Sequence, residues 1–366
     1  MGSIPVVWSP QTRLHDPRHE IWVGVATEGT EVAARVDVIL AELSKRGYPI
    51  MEPSVEADDV LHRVHSSELL MFLRDAARDW AAGPYEELVG QSRVVPYLFP
   101  TPAMTAGIET KQAKAIHAEA GRYAYDTMTL VGPGTWEAAR AAADCAATAA
   151  TLVAEGASAA YALCRPPGHH ATPAGFGGSC YLNNAAVAAE TLRAGGAAKV
   201  GILDIDAHQG NGTAAIFYER SDVLYASVHV DPAAGWFPHI LGFADETGSG
   251  AGIGATRNLP LAEGTGDEVW LEAVAELTTW LDSAGCDALV VSLGVDAAAD
   301  DPESPLLITH DGYHEAGSVV ATLGRPTIVV QEGGYHLPTL GTLVAEFLTG
   351  LASLKTRPPK SSCAGN

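Results

Sequence analysis

The stretch DIDAHQGNGT, residues 204–213, holds the side chains best suited to chemistry in this 366-residue chain. Asp206 and His208 are two residues apart, and Asp296 ends a separate apolar run, VVSLGVD. Three protein ligands that leave a position for water are typical of a catalytic zinc rather than a structural one. We therefore predict one catalytic metal on Asp206, His208 and Asp296, although an isolated aspartate at a strand end is more commonly a cap or turn residue.

Gln209 stands directly after His208, where a second imidazole would be expected beside a metal site. Side chains alternate between the two faces of a strand. Asp204, Asp206 and His208 then share one face, and Gln209 lies on the other. This alternation predicts that Gln209 removes no metal ligand.

Two adjacent histidines occur in RPPGHHA, at His169 and His170. Paired imidazoles beside a metal suit the roles of general base and general acid, provided that each is oriented by a carboxylate or amide. Asp204 and Asn211 are the candidate orienting groups. Alternatively, one of the histidines binds the metal or caps the following turn.

Tyr335 follows two glycines in EGGY, and glycine permits a tight approach of the backbone. A tyrosine hydroxyl at this place would donate a hydrogen bond to an oxyanion opposite the metal. The alternative for a single tyrosine is an aromatic residue of the core.

Apolar runs that end in these polar residues alternate with segments long enough for crossover helices. The runs are AYALCRPPGHH (160–170), KVGILDIDAH (199–208), VLYASVHVD (223–231), ALVVSLGVD (288–296) and TIVVQEGGY (327–335). The predicted helical segments are 31–47, 134–156, 184–194, 267–284 and 312–323. This pattern predicts a single-domain α/β fold over 1–354, with a parallel sheet flanked by helices on both faces and ligands bound beyond the carboxyl ends of the strands.

Composition narrows the class of protein. The formal net charge of −22 disfavours binding to nucleic acid or to anionic membranes and favours binding of small cations. The alternative is that the acidic residues only keep the protein soluble. The five cysteines are scattered and odd in number, which fits a reducing cytoplasm. We see no signal peptide and no membrane span, and we expect a cytoplasmic protein with a disordered tail at 355–366.

The segment 84–120 is long, punctuated by prolines and weakly periodic, which indicates a functional loop or an interaction segment. Glu109 and Glu119 are candidates for contacting a cationic amine, the alternative being ordinary solvated glutamates.

The motifs together resemble the zinc-dependent deacetylases of the arginase–deacetylase fold, most closely the bacterial acetylpolyamine amidohydrolases and histone deacetylase-like amidohydrolases. The similarity extends over about 15–350. It rests on RPPGHHA, CYLNNAA, DIDAHQGNGT, FPHILGFADETGSGAG, SLGVDAAADDP and EGGY, in the family's order. The segment 84–120 resembles the insertion that, in acetylpolyamine amidohydrolases, helps to pair subunits and narrows the active-site mouth, so the resemblance implies a role in the active-site rim and in a homodimer or higher homo-oligomer.

The resemblance implies a role for each matching residue. It makes Asp206, His208 and Asp296 the ligands of one zinc per chain, although ferrous iron also suits them. The catalytic histidines are His169 and His170, supported by Asp204 and Asn211, and Tyr335 polarises the carbonyl. A structural potassium is expected at Asp204, Asp206, His208, Ser227 and Val228.

Two positions depart from the family pattern. One is Gln209. The other is Ser179, in GFGGSCYLNN, where the family commonly has an aromatic wall of the substrate tunnel. Trp236 or Phe237 would supply the opposite wall, and Phe176, in the same stretch as Gly178, could compensate. The substrate-facing candidates are therefore Phe176, Gly178, Ser179, Trp236, Phe237, Glu109 and Glu119.

These observations predict metal-assisted hydrolysis of an N-acyl amide. Small acetylated amines such as acetylpolyamines are the first expectation, acetyl-lysine in peptides the second, and a small N-substituted amide the third. A binuclear manganese ureohydrolase would need further carboxylates where this chain has Gly210 and Ala298. An inactive ligand-binding homologue is the non-enzymatic alternative, for which Gln209 and Ser179 are the evidence.

Overall fold

The computed structural model describes residues 4–353, and its centre is a sheet of eight parallel strands in the order β4-β1-β5-β10-β9-β6-β7-β8. A separate antiparallel hairpin is formed by β2 and β3. The strands are β1 Val6–Val7, β2 His19–Trp22, β3 Val25–Glu28, β4 Ile50–Met51, β5 Ala159–Ala162, β6 Val200–Asp204, β7 Val223–Val230, β8 Thr256–Leu261, β9 Ala288–Leu293 and β10 Thr327–Gln331. The predicted tail at 355–366 lies outside the described residues.

The five predicted strands form the contiguous centre of this sheet, β5-β10-β9-β6-β7. Their residues are almost all buried, as expected for strands covered on both faces. The sequence pattern did not reveal β1, β4 and β8. Two of these have only two residues each, and β8 contains Pro260, which is tolerated at the edge of a sheet.

Helices cover both faces of the sheet, as predicted. They are α1 Ala34–Lys45, α2 Asp58–Val64, α3 Ser67–Ala81, α4 Tyr85–Val89, α5 Pro102–Thr105, α6 Ile116–Glu119, α7 Thr135–Ala154, α8 Asn184–Ala194, α9 Asn211–Phe217, α10 Asp267–Ser283, α11 His310–Ala321 and α12 Leu337–Ala352. All five predicted helical segments are present, as α1, α7, α8, α10 and α11.

The core consists of two layers, one on each face of the sheet. The side chains of α2, α3, α7 and α8 form one layer, and those of α1, α10, α11 and α12 form the other. Neighbouring residues of a strand enter different layers, so that Ile202 packs in the first and Leu203 in the second. Packing on both faces holds the strands side by side in the sheet. The loops beyond their carboxyl ends carry the candidate site.

The segment 84–120 contains only the short helices α4, α5 and α6 and adds no strand to the sheet. It exposes Leu88, Val89, Met104 and Ile108, four large apolar side chains. Among residues 4–353, no helix is both long and apolar enough to cross a bilayer.

Candidate active site

The carboxyl ends of β6 and β9 bring the predicted metal ligands together. Ligand atoms of Asp206, His208 and Asp296 all lie within 4.8 Å of one another. The Nδ1 atom of His208 is 3.3 Å from Oδ1 of Asp206 and 3.2 Å from Oδ2 of Asp296. His208 is the most exposed of the three, with a side chain 13% accessible. The cluster is therefore buried but open on the side of His208.

Backbone amides hold the two carboxylates in place. The N–H of Gly333 donates to Oδ2 of Asp206 at 2.9 Å, and the N–H of Ala207 donates to Oδ1 of Asp296 at 2.9 Å. A Cβ atom at Gly333 would lie 2.3 Å from Oδ2 of Asp296. Only glycine fits at this position, which explains the first of the two residues between Glu332 and Tyr335.

The donor set suits a divalent cation. Burial and then the charge of Asp206 raise the pKa of Asp296 to about 7. Burial opposes protonation of His208, but hydrogen bonds to Asp206 and Asp296 outweigh it and raise its pKa well above the usual value. Two buried carboxylates together attract a cation. A set of one imidazole and two carboxylates fits zinc or ferrous iron.

A second cluster of metal-binding groups, His169, Cys180 and Glu332, lies nearby. The carboxylate of Glu332 is already engaged. Its Oε2 accepts from the N–H groups of Gly168 and His169 at 2.7 and 3.1 Å, and its Oε1 accepts from the hydroxyl of Ser292 at 3.2 Å. Glu332 thus fixes the histidine loop to the ends of β9 and β10, a role that the sequence analysis did not identify.

The two histidines have different orienting partners. Nδ1 of His169 lies 3.1 Å from Oδ2 of Asp204, and Nδ1 of His170 lies 2.7 Å from Oδ1 of Asn211. Their ring centroids are 4.0 Å apart. Nε2 of His169 reaches to 3.8 Å from Oδ1 of Asp206. Both predicted orienting partners therefore occupy the expected places, and both imidazoles border the ligand cluster.

Burial and charge give the two histidines opposite protonation preferences. Burial disfavours the imidazolium of His169, but the charges of Asp206 and Asp204 outweigh it and raise its pKa to about 10. Burial, followed by the charge of His169, lowers the pKa of His170 well below the usual value. These shifts favour an imidazolium at His169 and a neutral imidazole at His170, the combination that an acid and a base at one site require.

Tyr335 lies just past the end of β10, and its backbone is fixed on both sides. Its N–H donates to Oδ2 of Asp301 at 2.6 Å. Arg35 donates to the carbonyls of Gly334 and Glu332 at 2.6 and 2.5 Å, and its guanidinium lies 4.8 Å from the centroid of the Tyr335 ring. Burial raises the pKa of the hydroxyl well above its usual value, so Tyr335 remains a hydrogen-bond donor.

Gln209 lies away from the ligands, as predicted, but not for the predicted reason. Strand β6 ends at Asp204, so the alternation of a strand does not extend to residue 209. The Gln209 side chain is buried and packs beneath Gly242, close to His229. Neither end of its amide has a hydrogen-bond partner within residues 4–353.

The mouth of the site is aromatic on one side. Phe237 meets His170 edge-on with centroids 4.6 Å apart, and the Trp236 ring centroid is 6.4 Å from that of His208. Gly178 lies against both, because a Cβ at this position would be 2.4 Å from Cδ2 of His170 and 3.0 Å from Cε1 of Phe237. Trp236, Phe237 and Gly178 therefore lie beside His208 and His170, and their contact with substrate remains a prediction.

Other candidates for substrate contact are elsewhere. Phe176 is 1% exposed and stacks between Phe72 and Tyr181, so it packs in the core and does not line the mouth. Glu119 is also buried: its Oε2 accepts from the N–H of Ala113 at 2.8 Å, and Arg122 pairs with its Oε1 at 3.2 Å. The expected contact of Glu119 with an amine is therefore wrong, because its carboxylate braces the loop.

Two further sets of predicted residues remain predictions. Glu109 is exposed on the surface of the 84–120 segment. Strand register pairs Asp204 with Ser227, which places the residues named for potassium on neighbouring strands and the loop after β6. The Ser227 side-chain oxygen lies 2.7 Å from Nδ1 of His229.

Comparisons with known proteins identify the family and the fold. The profile of the histone deacetylase domain matches residues 30–351. The acetylpolyamine amidohydrolase of Mycoplana ramosa is 41% identical over 349 residues, 95% of this chain and 99% of that protein. A crystal structure of the acetylpolyamine aminohydrolase of Burkholderia pseudomallei gives a TM-score of 0.90 at 39% identity, covering 96% of this chain and 99% of that chain.

The chain belongs to the histone deacetylase family. It is an amidohydrolase of the deacetylase type, and the predicted fold and enzyme class are confirmed. Family members that are not named acetylpolyamine amidohydrolases are also similar. The histone deacetylase-like amidohydrolase of Pseudomonas aeruginosa is 37% identical over 239 residues, 62% of each chain.

Proposed function

We propose that this protein is a zinc-dependent deacetylase that releases acetate from small N-acetylated amines, with acetylpolyamines as the substrate class. The observation that supports this most directly is the cluster of Asp206, His208 and Asp296 bordered by His169 and His170. The extensive similarity to acetylpolyamine amidohydrolases supports the choice of substrate.

Asp206, His208 and Asp296 would hold the zinc. When bound, zinc supplies Lewis-acid chemistry, lowering the pKa of water and polarising an amide carbonyl. His170 is neutral and takes the proton from the attacking water. His169 carries the positive charge that balances the developing oxyanion and protonates the leaving amine.

Tyr335 donates its hydroxyl hydrogen to the oxygen of the former carbonyl. Its donor is pre-positioned because Arg35 and Asp301 fix the EGGY backbone and the ring. Preorganised donors of this kind act most strongly where water is excluded, since they need no reorganisation during the reaction.

The charge of the molecule agrees with an amine substrate. A formal charge of −22 attracts polyamines, which are cationic, toward the surface and raises their encounter rate at low ionic strength. Peptides carrying acetyl-lysine share the acetamide group but not the small cationic body, so a direct comparison of the two substrate types separates the alternatives.

We propose further that two copies associate through the 84–120 segment, and that potassium binds at Asp204, Asp206, His208, Ser227 and Val228. The association of two copies is supported by the exposed side chains of Leu88, Val89, Met104 and Ile108. Exposed apolar side chains grouped in one segment are typical of an interaction surface. Sedimentation velocity of the wild-type chain and of the Leu88→Glu, Ile108→Glu double variant tests this association: the variant is expected to be a monomer.

The proposed function is tested by acetate release from N-acetylputrescine, N-acetylspermidine and an acetyl-lysine peptide, at known zinc content. We expect kcat/KM to be highest for an acetylpolyamine. A preference for the peptide would assign this chain to the other substrate class, and turnover of none of the three would contradict the proposal.

A further inference from the structure

The position expected to supply an aromatic wall is occupied by a tight turn. Gly177 and Cys180 exchange backbone hydrogen bonds of 3.0 and 3.2 Å, and the two residues between them are left-handed, with φ of 56° at Gly178 and 61° at Ser179. Left-handed backbone at both central positions is typical of type I′ turns. Ser179 is held there by its N–H, which donates to Oγ1 of Thr129 at 2.9 Å. This turn contributes no ring to the mouth.

Tyr125 brings a ring to the same place from a different loop. Its ring lies directly on Gly177, where a Cβ atom would approach it to 2.2 Å. It is nearly parallel to Phe237, with an interplanar angle of 16° and centroids 6.4 Å apart. No sequence motif marks Tyr125, because only the tertiary fold brings it opposite Phe237.

Hydrogen bonds hold both the backbone and the hydroxyl of Tyr125, while part of the residue is exposed to solvent. Its N–H donates to the carbonyl of Phe176 at 3.1 Å, and its hydroxyl donates to the carbonyl of His170 at 2.7 Å. The residue is nevertheless 38% exposed. The ring is therefore held beside His170 and still contacts solvent, so a ligand that enters from outside can contact it.

We propose that Tyr125 is the second aromatic wall of the mouth of the site, opposite Phe237, and that it sets the preference for an unbranched alkyl chain of the substrate. This inference rests on the proposed function, because the mouth leads to the cluster of Asp206, His208 and Asp296. Two aromatic faces that both contact a methylene chain stand about 7–8 Å apart. Tyr125 and Phe237 must therefore separate slightly as a chain enters, and a branched chain would require a larger separation.

The ring and the hydroxyl of Tyr125 contribute differently. The ring supplies apolar contact along the chain, so its removal weakens binding in proportion to chain length. The hydroxyl only fixes the ring to the His170 loop. Tyr125→Phe should therefore keep the wall, whereas Tyr125→Leu should lose much of the flat contact.

Alkyl hydroxamates test this independently of turnover, because their head group chelates a catalytic metal. Calorimetric affinities of acetohydroxamate and octanohydroxamate would be measured for the zinc-loaded wild type, Tyr125→Leu, Tyr125→Phe and a control, Tyr48→Leu, altered at a half-buried tyrosine that precedes β4 at the amino ends of the strands. We expect Tyr125→Leu to weaken octanohydroxamate about tenfold and acetohydroxamate less than about twofold. Tyr125→Phe and the control should stay close to wild type.

Equal weakening of both hydroxamates by Tyr125→Leu, or no weakening of either, would overturn the inference. Thermal unfolding and zinc content of each variant would show that the chain is folded and loaded. Acetate release from N-acetylputrescine by the wild type, measured in parallel, addresses the proposed function separately. Its absence would reject that function, while the hydroxamate affinities would still decide whether Tyr125 is a wall.

Discussion

His170 is oriented by the side-chain amide of Asn211, with Nδ1 and Oδ1 2.7 Å apart, and not by a carboxylate. Its neighbour His169 is paired with the carboxylate of Asp204 at 3.1 Å. A neutral partner adds no negative charge, so burial keeps the pKa of His170 low, whereas carboxylates raise that of His169 to about 10. The difference between the two partners supports the proposed role of His170 as the base.

Replacing Asn211 by aspartate tests this assignment with an almost isosteric change. A new carboxylate favours the imidazolium and raises the pKa of His170, typically by about 1–3 units. Since His170 must be neutral to accept a proton, activity would be lost at a higher pH as the solution is acidified. The acid limb of the kcat/KM profile should move upward by at least about one unit. An unmoved or lowered limb would argue against His170 as the base.

Tyr335→Phe removes a single hydroxyl and leaves the ring on Arg35. Because this donor is proposed to stabilise the oxyanion, we expect kcat to fall on the order of 100- to 1,000-fold. Zinc content should equal that of the wild type, since the metal would be held by Asp206, His208 and Asp296. Single-turnover acetate release and metal analysis would check both parts. Activity within a few-fold of wild type would rule out this role.

Gln209→Met is expected to stabilise the protein. The buried amide has no hydrogen-bond partner within residues 4–353, and an unsatisfied buried polar group costs about 1–3 kcal/mol. Methionine has a similar length and no such requirement, so the free energy of unfolding in urea should rise by about 1 kcal/mol. Activity should change little, because Gln209 packs against Gly242 and away from the ligands. A less stable variant would mean that the amide has a partner, such as buried water.

His65 predicts a loss of stability in acid. It accepts from the N–H of Asn183 at 2.9 Å through Nε2, and its Nδ1 lies 2.9 Å from the carbonyl of Thr172. Burial lowers its folded-state pKa to about 4 from the model-peptide value of 6.5. The unfolded chain therefore binds a proton first, so stability is full above about pH 6.5 and falls as the pH drops toward 4.

His65→Gln removes this titration. Between pH 7 and pH 4.5, its free energy of unfolding should decrease less than that of the wild type, by about 2–3 kcal/mol. Comparison of the two proteins at pH 7 is the control, because His65 is mainly neutral there in both the folded and the unfolded chain. A difference in the free energy of unfolding at pH 7 therefore reports the contacts that the substitution removes. Identical pH dependence of the two proteins would show that folding does not lower the pKa of His65.

The sequence predicted the centre of the fold better than its margins. Near-continuous apolar runs define the five central strands, and the polar residues that follow them mark the site. Strands of two residues have no comparable signal, since their pairing depends on distant partners. The β2–β3 hairpin pairs locally across Val23 and Gly24, but its strands are short and largely exposed, so they form no apolar run. Phe176 illustrates the same limit: its position beside the turn suggested the mouth, but Phe72 and Tyr181 enclose it.

Residues that support the site from a distance were not predicted. Arg35 lies on α1 and Glu332 at the end of β10, and each acts by holding the backbone of a loop remote in sequence. Neither has a local pattern that reveals such a role. Tyr125 is a third example, since its partner Phe237 is more than a hundred residues away.

The most direct test of metal-dependent deacetylation is acetate release from N-acetylputrescine as zinc is titrated into the chelator-stripped protein. We predict that activity is absent without metal, rises linearly with zinc and reaches its plateau at one equivalent per chain. The Asp296→Asn variant should fail to recover at this ratio. Full activity in the stripped protein, or a plateau at two equivalents, would contradict a single catalytic metal on Asp206, His208 and Asp296.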